Sequence, residues 1–396
     1  MISADFAPNE SGDDAVASLK LFFQPWIWKK GKALARLKLR LKNYFPDSQI
    51  FLFFSARAGL YHLLKSQNFP KDSKVLVQAF TCEAVILPVL ANDLLPQYVD
   101  TETKSFSMNL KDLEKKYTAD SRALILQHTF GMTPIERERI LEFAKNKKLF
   151  VIEDLAQGFD LNLFKTMKQS SNLAILLSFG RSKMFSSVWG GGVVTTNPKA
   201  TEMFSGLGKS INLPSYMSIF NILLYKPMAY LVKKTYAIYI GIALHKSLNL
   251  LGIFTKEITR RERGGEFDQD LNKAYPNALA KLLLVQINKI ERVNNIRSSI
   301  CTKYSRTFKH NYGNVPLIRY PILVDKRKSL LKAAVQKKIY LGTWHDPVVS
   351  PHGIDLEKMK YKKGSCPEAE GVSKKIVNLP TLISDKDADL VLKLFS

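Results

Sequence analysis

From residue 47 to about 200, short apolar runs alternate with amphipathic stretches of helical length, and this alternation restricts the fold more than any other feature. The runs at 75–79, 95–99, 123–127, 149–153, 174–179 and 192–196 read as strands, and 57–66, 84–92, 110–117 and 135–146 read as helices. Strand, helix and strand in that order make a crossover unit, which builds a largely parallel sheet covered on both faces. An α/β domain is therefore expected over 49–272. Residues 276–309 read as one long helix opened by Pro276, with Leu279, Leu282, Leu283, Ile287, Ile290 and Val293 on its apolar face. Apolar runs at 315–324 and 339–344 and helices near 328–337, 367–376 and 385–395 then predict a small α+β unit, which with the long helix fills 273–396.

Two segments fit this plan less directly. Residues 1–48 form a basic arm in which Lys29, Lys30, Lys32, Arg36, Lys38, Arg40 and Lys42 meet no acid between Trp26 and Phe45. Leu34, Leu37, Leu41 and Phe45 share a helical face, although the strict alternation over 36–42 suits a strand as well; ordinary packing is the preferred role. The second segment, 213–255, is rich in Ile, Leu, Tyr and Phe but interrupted by Lys226, Pro227, Lys233, Lys234 and Lys246. It reads either as an interfacial helix pair or as a core or dimer-contact insertion whose lysines turn outward. No uncharged run there approaches the roughly 18 residues of a spanning helix.

Composition excludes several classes. Hydrophobic residues make up 46% and charged residues 24%, the proportions of a folded globular chain. Three scattered cysteines, Cys82, Cys301 and Cys366, offer neither a disulfide framework nor a zinc cluster, so no metal is expected. The first fourteen residues are acidic and polar, the wrong sign for a secretory leader, so an intracellular, cytoplasmic protein is expected. The 59 basic against 35 acidic residues leave +24, a charge that attracts polyanions. The basic residues are spread along the chain without a nucleic-acid motif, so nucleic acid is set aside as a partner. Phosphorylated substrates and anionic lipid remain, the latter as peripheral membrane contact through 213–255.

The chemistry concentrates in three places. At Glu153-Asp154-Leu155-Ala156-Gln157 a buried strand ends in a carboxylate, then a small residue and an amide. The carboxyl end of a parallel strand opens onto the crevice where such sheets bind ligands. Ser178-Phe179 follows the next strand, then Lys183, and Gly190-Gly191-Gly192 leads into another strand. Upstream, Ser55-Ala56-Arg57 opens a helix whose N-terminal N–H groups suit an anion. A lysine, a carboxylate and phosphate donors are what pyridoxal 5'-phosphate needs.

With these motifs, and with His128-Thr129-Phe130-Gly131, Asn272, Gln286 and Leu379-Pro380, the sequence resembles the DegT/StrS-type aminotransferases. These are fold type I pyridoxal-phosphate enzymes that aminate nucleotide-linked keto sugars. The resemblance runs over roughly 50–200 and 271–396. It implies a mostly parallel seven-stranded sheet between helices, a small C-terminal domain and a homodimer. It also implies that Lys183 carries the cofactor and shuttles the proton. Asp154 would face the pyridine nitrogen, Gln157 the phenolic oxygen, Ala156 the underside of the ring and Ser178 the phosphate. Asn272 would reach a neighbouring subunit's site, and glutamate would be the amino donor.

Several positions depart from the family pattern. A hydroxyl of its phosphate turn is replaced where Ala56 and Arg57 stand, with Arg57 left either to meet the phosphate or to serve as a surface charge. Cys82 stands where an aromatic residue stacks on the ring, and the acid of Gly-Asp-Gly-Gly is missing before Gly191. The family's arginine two residues beyond Asn272 is Ala274. For substrate contact the candidates are His128, alternatively a core histidine, and Trp344 and His345, alternatively a packing turn. An alternative reading keeps the fold without turnover: a degenerate member binding sugar ligands or a membrane partner.

Overall fold

The computed structural model describes residues 1–396 apart from 167–169, 251, 253, 255, 256 and 396, and apart from the side chains at 162, 165, 166, 209 and 237. Seven strands, β1 (Gln49–Phe53), β2 (Lys74–Gln78), β3 (Leu95–Val99), β4 (Ser121–Gln127), β5 (Phe150–Asp154), β6 (Leu173–Ser178) and β7 (Gly191–Thr195), form one sheet in the order β1-β7-β6-β5-β4-β2-β3. The five strands from β6 across to β3 pair in parallel, while β7 runs antiparallel to both β6 and β1. The expected strands stand within two residues of these bounds. β1, which the reading of 47–200 passed over, closes the sheet beside β7.

Helices α1 (Gly12–Phe22), α2 (Ala33–Lys42), α3 (Ala56–Ser66), α4 (Glu83–Leu90), α5 (Leu110–Lys116), α6 (Arg137–Asn146), α7 (Pro198–Ser210), α8 (Tyr216–Thr235) and α9 (Ile240–Leu250) precede α10 (Asn277–Ile287) and α11 (Ile290–Phe308). In the C-terminal part β8 (Arg319–Leu323) pairs antiparallel with β9 (Ile376–Pro380), accompanied by α12 (Arg327–Gln336), α13 (Pro367–Lys375) and α14 (Asp385–Leu392). Val349–Ser350 pairs in parallel with Thr81–Cys82, tying this part to the end of the large sheet where the carboxyl termini of its strands open.

Two expectations are corrected and one open alternative is decided. The single helix over 276–309 is two, because Lys289 leaves helical geometry at φ −112°, ψ 10°. At that break Lys289 Nζ lies 2.5 Å from Asp14 Oδ2, and Gln286 Nε2 donates to Asp14 Oδ1 at 2.6 Å. An apolar periodicity cannot register such a distant partner. Of the two readings left open for 33–42 the helix is the one found, and Leu37 and Leu41 are fully buried, each contributing about 1.5–3 kcal/mol. Asn277 Oδ1 accepts from the Ala33 N–H at 2.9 Å, a cap supplied from α10 that the local sequence lacks.

The second correction concerns 213–255, of which residues 251, 253 and 255 lie outside the described residues. α8 packs against α1: Ser18 Oγ donates to the Leu223 carbonyl at 2.6 Å, and the Phe22 and Phe220 rings sit 4.9 Å apart. Lys226 does not turn outward. It is fully buried, with Nζ 2.7 Å from Glu10 Oε2 and 4.0 Å from Asp14 Oδ1. Among the described residues, no helix is long and apolar enough to cross a membrane.

Candidate active site

The carboxyl ends of β4, β5 and β6 open onto a cavity of about 470 Å³. Asp154 is the last residue of β5 and Ser178 the last of β6, and both line it. Lys183 lies in the 179–190 connection, which closes the antiparallel pair β6–β7, and its amine reaches the same cavity. Ala56, Arg57, Cys82, Ala156, Gln157, Trp344 and His345 line it too. Ten of the twelve sequence candidates therefore share one space.

Asp154 is buried and held in orientation by two donors. Gln127 Nε2 donates to Oδ2 at 3.1 Å and the Ala156 N–H to Oδ1 at 2.9 Å. Burial raises its pKa above the ordinary carboxylate value, while the Ala156 N–H and the charge of Lys183 oppose the rise. For Lys183 burial lowers the pKa, against Cys82, Glu257 and Asp154, which favour the ammonium form. Lys183 Nζ stands 4.9 Å from the centre of the Trp344 ring. An amine with lowered proton affinity is the state that nucleophilic chemistry requires.

Gln157 begins a directed chain of hydrogen bonds. The Phe130 N–H donates to Gln157 Oε1 at 2.8 Å, and Gln157 Nε2 faces His345 Nε2 at 2.9 Å. His345 Nδ1 meets Ser350 Oγ at 2.7 Å, and that hydroxyl donates to the Thr81 carbonyl at 3.3 Å. An amide N–H can only donate, so Nε2 of His345 accepts and Nδ1 carries the proton. Burial, then the charges of Lys183 and Arg319, push the His345 pKa down to about 3 and keep the ring neutral.

The anion end of the cavity is built by α3. Ser55 caps the helix, its Oγ accepting from the Ala58 N–H at 3.0 Å, which leaves the first-turn N–H groups of Ala56 and Arg57 without helical partners. Gly191 lets β7 approach this turn, since a Cβ there would stand 2.3 Å from Ala56 Cα. Gly190 beside it has φ +137°, a conformation that favours glycine. The Arg57 guanidinium is not free for an anion, because it pairs with buried Glu262 and donates to the Glu257 carbonyl at 2.9 Å.

His128 and Asn272 fall outside the cavity. His128 is buried behind β5, its Nε2 2.9 Å from Glu153 Oε2, and Glu153 also receives Arg137. Burial alone would raise Glu153, yet the bonds from His128 and Arg137 bring it to about 2. His128 is thus a core partner of an ion pair, which corrects its assignment to substrate. Asn272 Oδ1 meets His62 Nε2 at 2.7 Å in this chain.

Several cavity residues escaped the sequence reading. Glu257 lines the wall, receives Ser182 Oγ at 3.0 Å and lies 3.5 Å from Arg181. Burial works against its ionisation, but Arg181 and Lys183 hold its pKa below the usual value. Its one signal was position, as the acid that ends an acid-free stretch from 203 to 256. Asp5 also lines the cavity and lies 2.8 Å from Arg319 Nη2, while the Arg319 guanidinium lies 3.4 Å from the Trp344 ring centre. Nothing local marks either residue.

The sequence profile of one family, the DegT/DnrJ/EryC1/StrS aminotransferase family, matches residues 11–210, half of the chain. The chain belongs to this family. GDP-perosamine synthase of Escherichia coli O157:H7 is 24% identical over 195 residues, covering 49% of this chain and 53% of that protein. The match thus spans about half the length of that relative. An uncharacterised protein of Methanocaldococcus jannaschii is 24% identical over 404 residues, covering 99% and 96%. Among solved structures, Helicobacter pylori PseC, an aminotransferase involved in pseudoaminic acid biosynthesis, superposes with a TM-score of 0.72 at 17% identity, covering 99% of each chain. NtdA of Bacillus subtilis with bound cofactor PMP gives 0.73 at 16%, covering 100% of this chain and 85% of NtdA. At these identities the likeness is one of fold, that of the fold type I aminotransferases.

Pyridoxal phosphate is the cofactor of the DegT/DnrJ/EryC1/StrS aminotransferases, and the donor set here fits it. The cavity offers one amine of lowered proton affinity, one buried carboxylate and one helix N-terminus whose approach depends on a missing Cβ.

Proposed function

We propose that this protein is a pyridoxal-phosphate-dependent aminotransferase that moves an amino group, with glutamate as donor, onto a nucleotide-linked keto sugar. The observation that carries the reading is that the Lys183 amine and the Asp154 carboxylate line one cavity and act electrostatically on one another. The substrate class is supported by two relatives, GDP-perosamine synthase and the dTDP-4-amino-4,6-dideoxy-D-glucose transaminase of Escherichia coli, the latter 26% identical over 182 residues. The part over 49–272 would bind the cofactor, 273–396 would close over it, and a homodimer would bring Asn272 to a second site.

When bound, the cofactor supplies an electron sink and a carrier for the amino group. Lys183 would hold the cofactor and would move the proton at the reacting carbon. Asp154, its charge made costly by burial, gains a cationic partner in the protonated pyridine nitrogen. Gln157 would hydrogen-bond the phenolic oxygen, Ala156 would pack beneath the ring, and Cys82 would stand where an aromatic residue stacks in the family. Ser178 and the N–H groups of Ala56 and Arg57 would hold the phosphate. Neutral His345 and Trp344 stand on the substrate side.

The test is purified protein mixed with pyridoxal phosphate and then with glutamate. Visible absorbance from lysine-bound cofactor that bleaches with glutamate is expected, and Lys183→Ala should lose both. A folded protein that stays colourless overturns the reading. A coloured protein that never bleaches with any amino donor favours the degenerate alternative.

A further inference from the structure

The outer face of α1 carries an apolar stripe between exposed Asp13 and Lys20. Ala15, Ser18 and Leu21 are buried, whereas Val16, Leu19 and Phe23 repeat at helical spacing on the outer side. Trp26 continues this stripe, and Tyr216 and Met217 join it from the first turn of α8. The antiparallel packing of α1 on α8 brings these groups to one end, with the Trp28 and Tyr216 rings 6.1 Å apart. All six side chains are between 43 and 74% exposed. Single exposed apolar groups need no explanation, but a stripe repeating at helical spacing that contains two of the most exposed aromatics does.

The charge around this patch is mainly positive, with Asp13 the one exposed acid on α1. Lys20, Lys30 and Lys32 are exposed beside it, and Lys29 Nζ sits 4.4 Å above the Tyr216 ring. Residues 15–46 contain no acid, and neither do 203–256. We propose that this patch is a docking surface for an anionic lipid bilayer, with Phe23 and Trp26 entering the interface and the lysines meeting headgroups. Aromatic and apolar side chains flanked by lysines are the composition of an interfacial helix. A second copy of the chain fits poorly, because a two-fold contact would set one mainly basic rim against another. The surface thus moves from the insertion as a whole, most of whose inner face is spent on α1, to the outer face of α1 and the start of α8.

The experiment is sedimentation of cofactor-loaded protein with phosphatidylcholine vesicles, with and without phosphatidylglycerol. Binding to the anionic vesicles alone, weakened by salt, is expected. The double variant Phe23→Ser, Trp26→Ser should lower the partition coefficient about tenfold or more, and Lys29→Glu with Lys30→Glu should do likewise. Phe23, Trp26 and Lys30 are exposed and Lys29 is half-buried, none of them lines the cavity, and both variants should keep the cofactor absorbance, so the result stands apart from the enzymatic reading. Absent wild-type binding overturns the proposal, as does unchanged binding by the Phe23/Trp26 variant. So does light scattering in which that variant alone becomes monomeric, or tighter retention on duplex DNA than on vesicles.

Discussion

The side-chain amide of Asn9 donates to the main-chain carbonyl of Lys183. Asn9 is itself fixed, since buried Arg297 donates to its Oδ1 at 2.7 Å and Gln286 Nε2 donates to its carbonyl at 3.3 Å. The chain's ninth residue thus connects the helices α10 and α11 to the backbone of the candidate nucleophile, which sits in a connection without regular secondary structure. Replacing Asn9 by Ala should lower kcat roughly ten- to a hundredfold with cofactor affinity kept, because misplacing a reacting group is costly. Steady-state kinetics beside cofactor titration check it. A fall in Tm with unchanged kcat would assign Asn9 to stability alone.

Gly191→Ala should dislodge the start of α3, because the new Cβ would stand 2.3 Å from Ala56 Cα and 2.4 Å from Ala56 N. Overpacking against backbone costs about 1–3 kcal/mol. The expected readouts are a lower Tm and cofactor affinity reduced about tenfold or more. Gly206→Ala in α7, where nothing lies within 4 Å, serves as the control and should be neutral or stabilising by up to about 1 kcal/mol.

Glu83 should make the cofactor-free protein less stable as pH rises. Burial raises its pKa to about 7 from 4.5, and Cys82 Sγ donates to its Oε2 at 2.9 Å. Between those two values the folded state holds a proton that the unfolded state has released, so this contribution is full below pH 4.5 and lost as pH passes 7. Urea denaturation at pH 5 and pH 8 should show Glu83→Gln losing less stability than wild type, by roughly 1–3 kcal/mol. Equal losses in the two proteins would sink this assignment.

Lys226→Met should destabilise the fold by about 3–5 kcal/mol, because it leaves Glu10 buried without its cation. Adding Glu10→Gln should recover part of that loss, since the uncompensated charge, more than the missing contact, carries the cost. A double-mutant cycle by chemical denaturation gives the coupling. Additive losses would place Glu10 outside the pair.

The sheet strands were readable because parallel strands buried on both faces are continuous apolar runs, and β2, β4, β5 and β6 are of that kind. That Lys183, Asp154, Gln157 and Ser178 share one cavity was readable because each stands at or just past the end of a strand, and strand ends are where such sheets place ligands. Pattern failed where the partner is remote in the chain. His128 has the same local surroundings whether it faces Glu153 or a ligand, and Arg57 opens a helix whether it meets an anion or Glu262. Offsets along the chain set which residues stand at the mouth of the sheet. The identity of each one's neighbour waited on contacts between distant segments, such as Asn9 with Lys183 or Lys226 with Glu10. Hydrogen bonds and ion pairs act across a few ångströms of space, and separation in sequence leaves no trace of that distance.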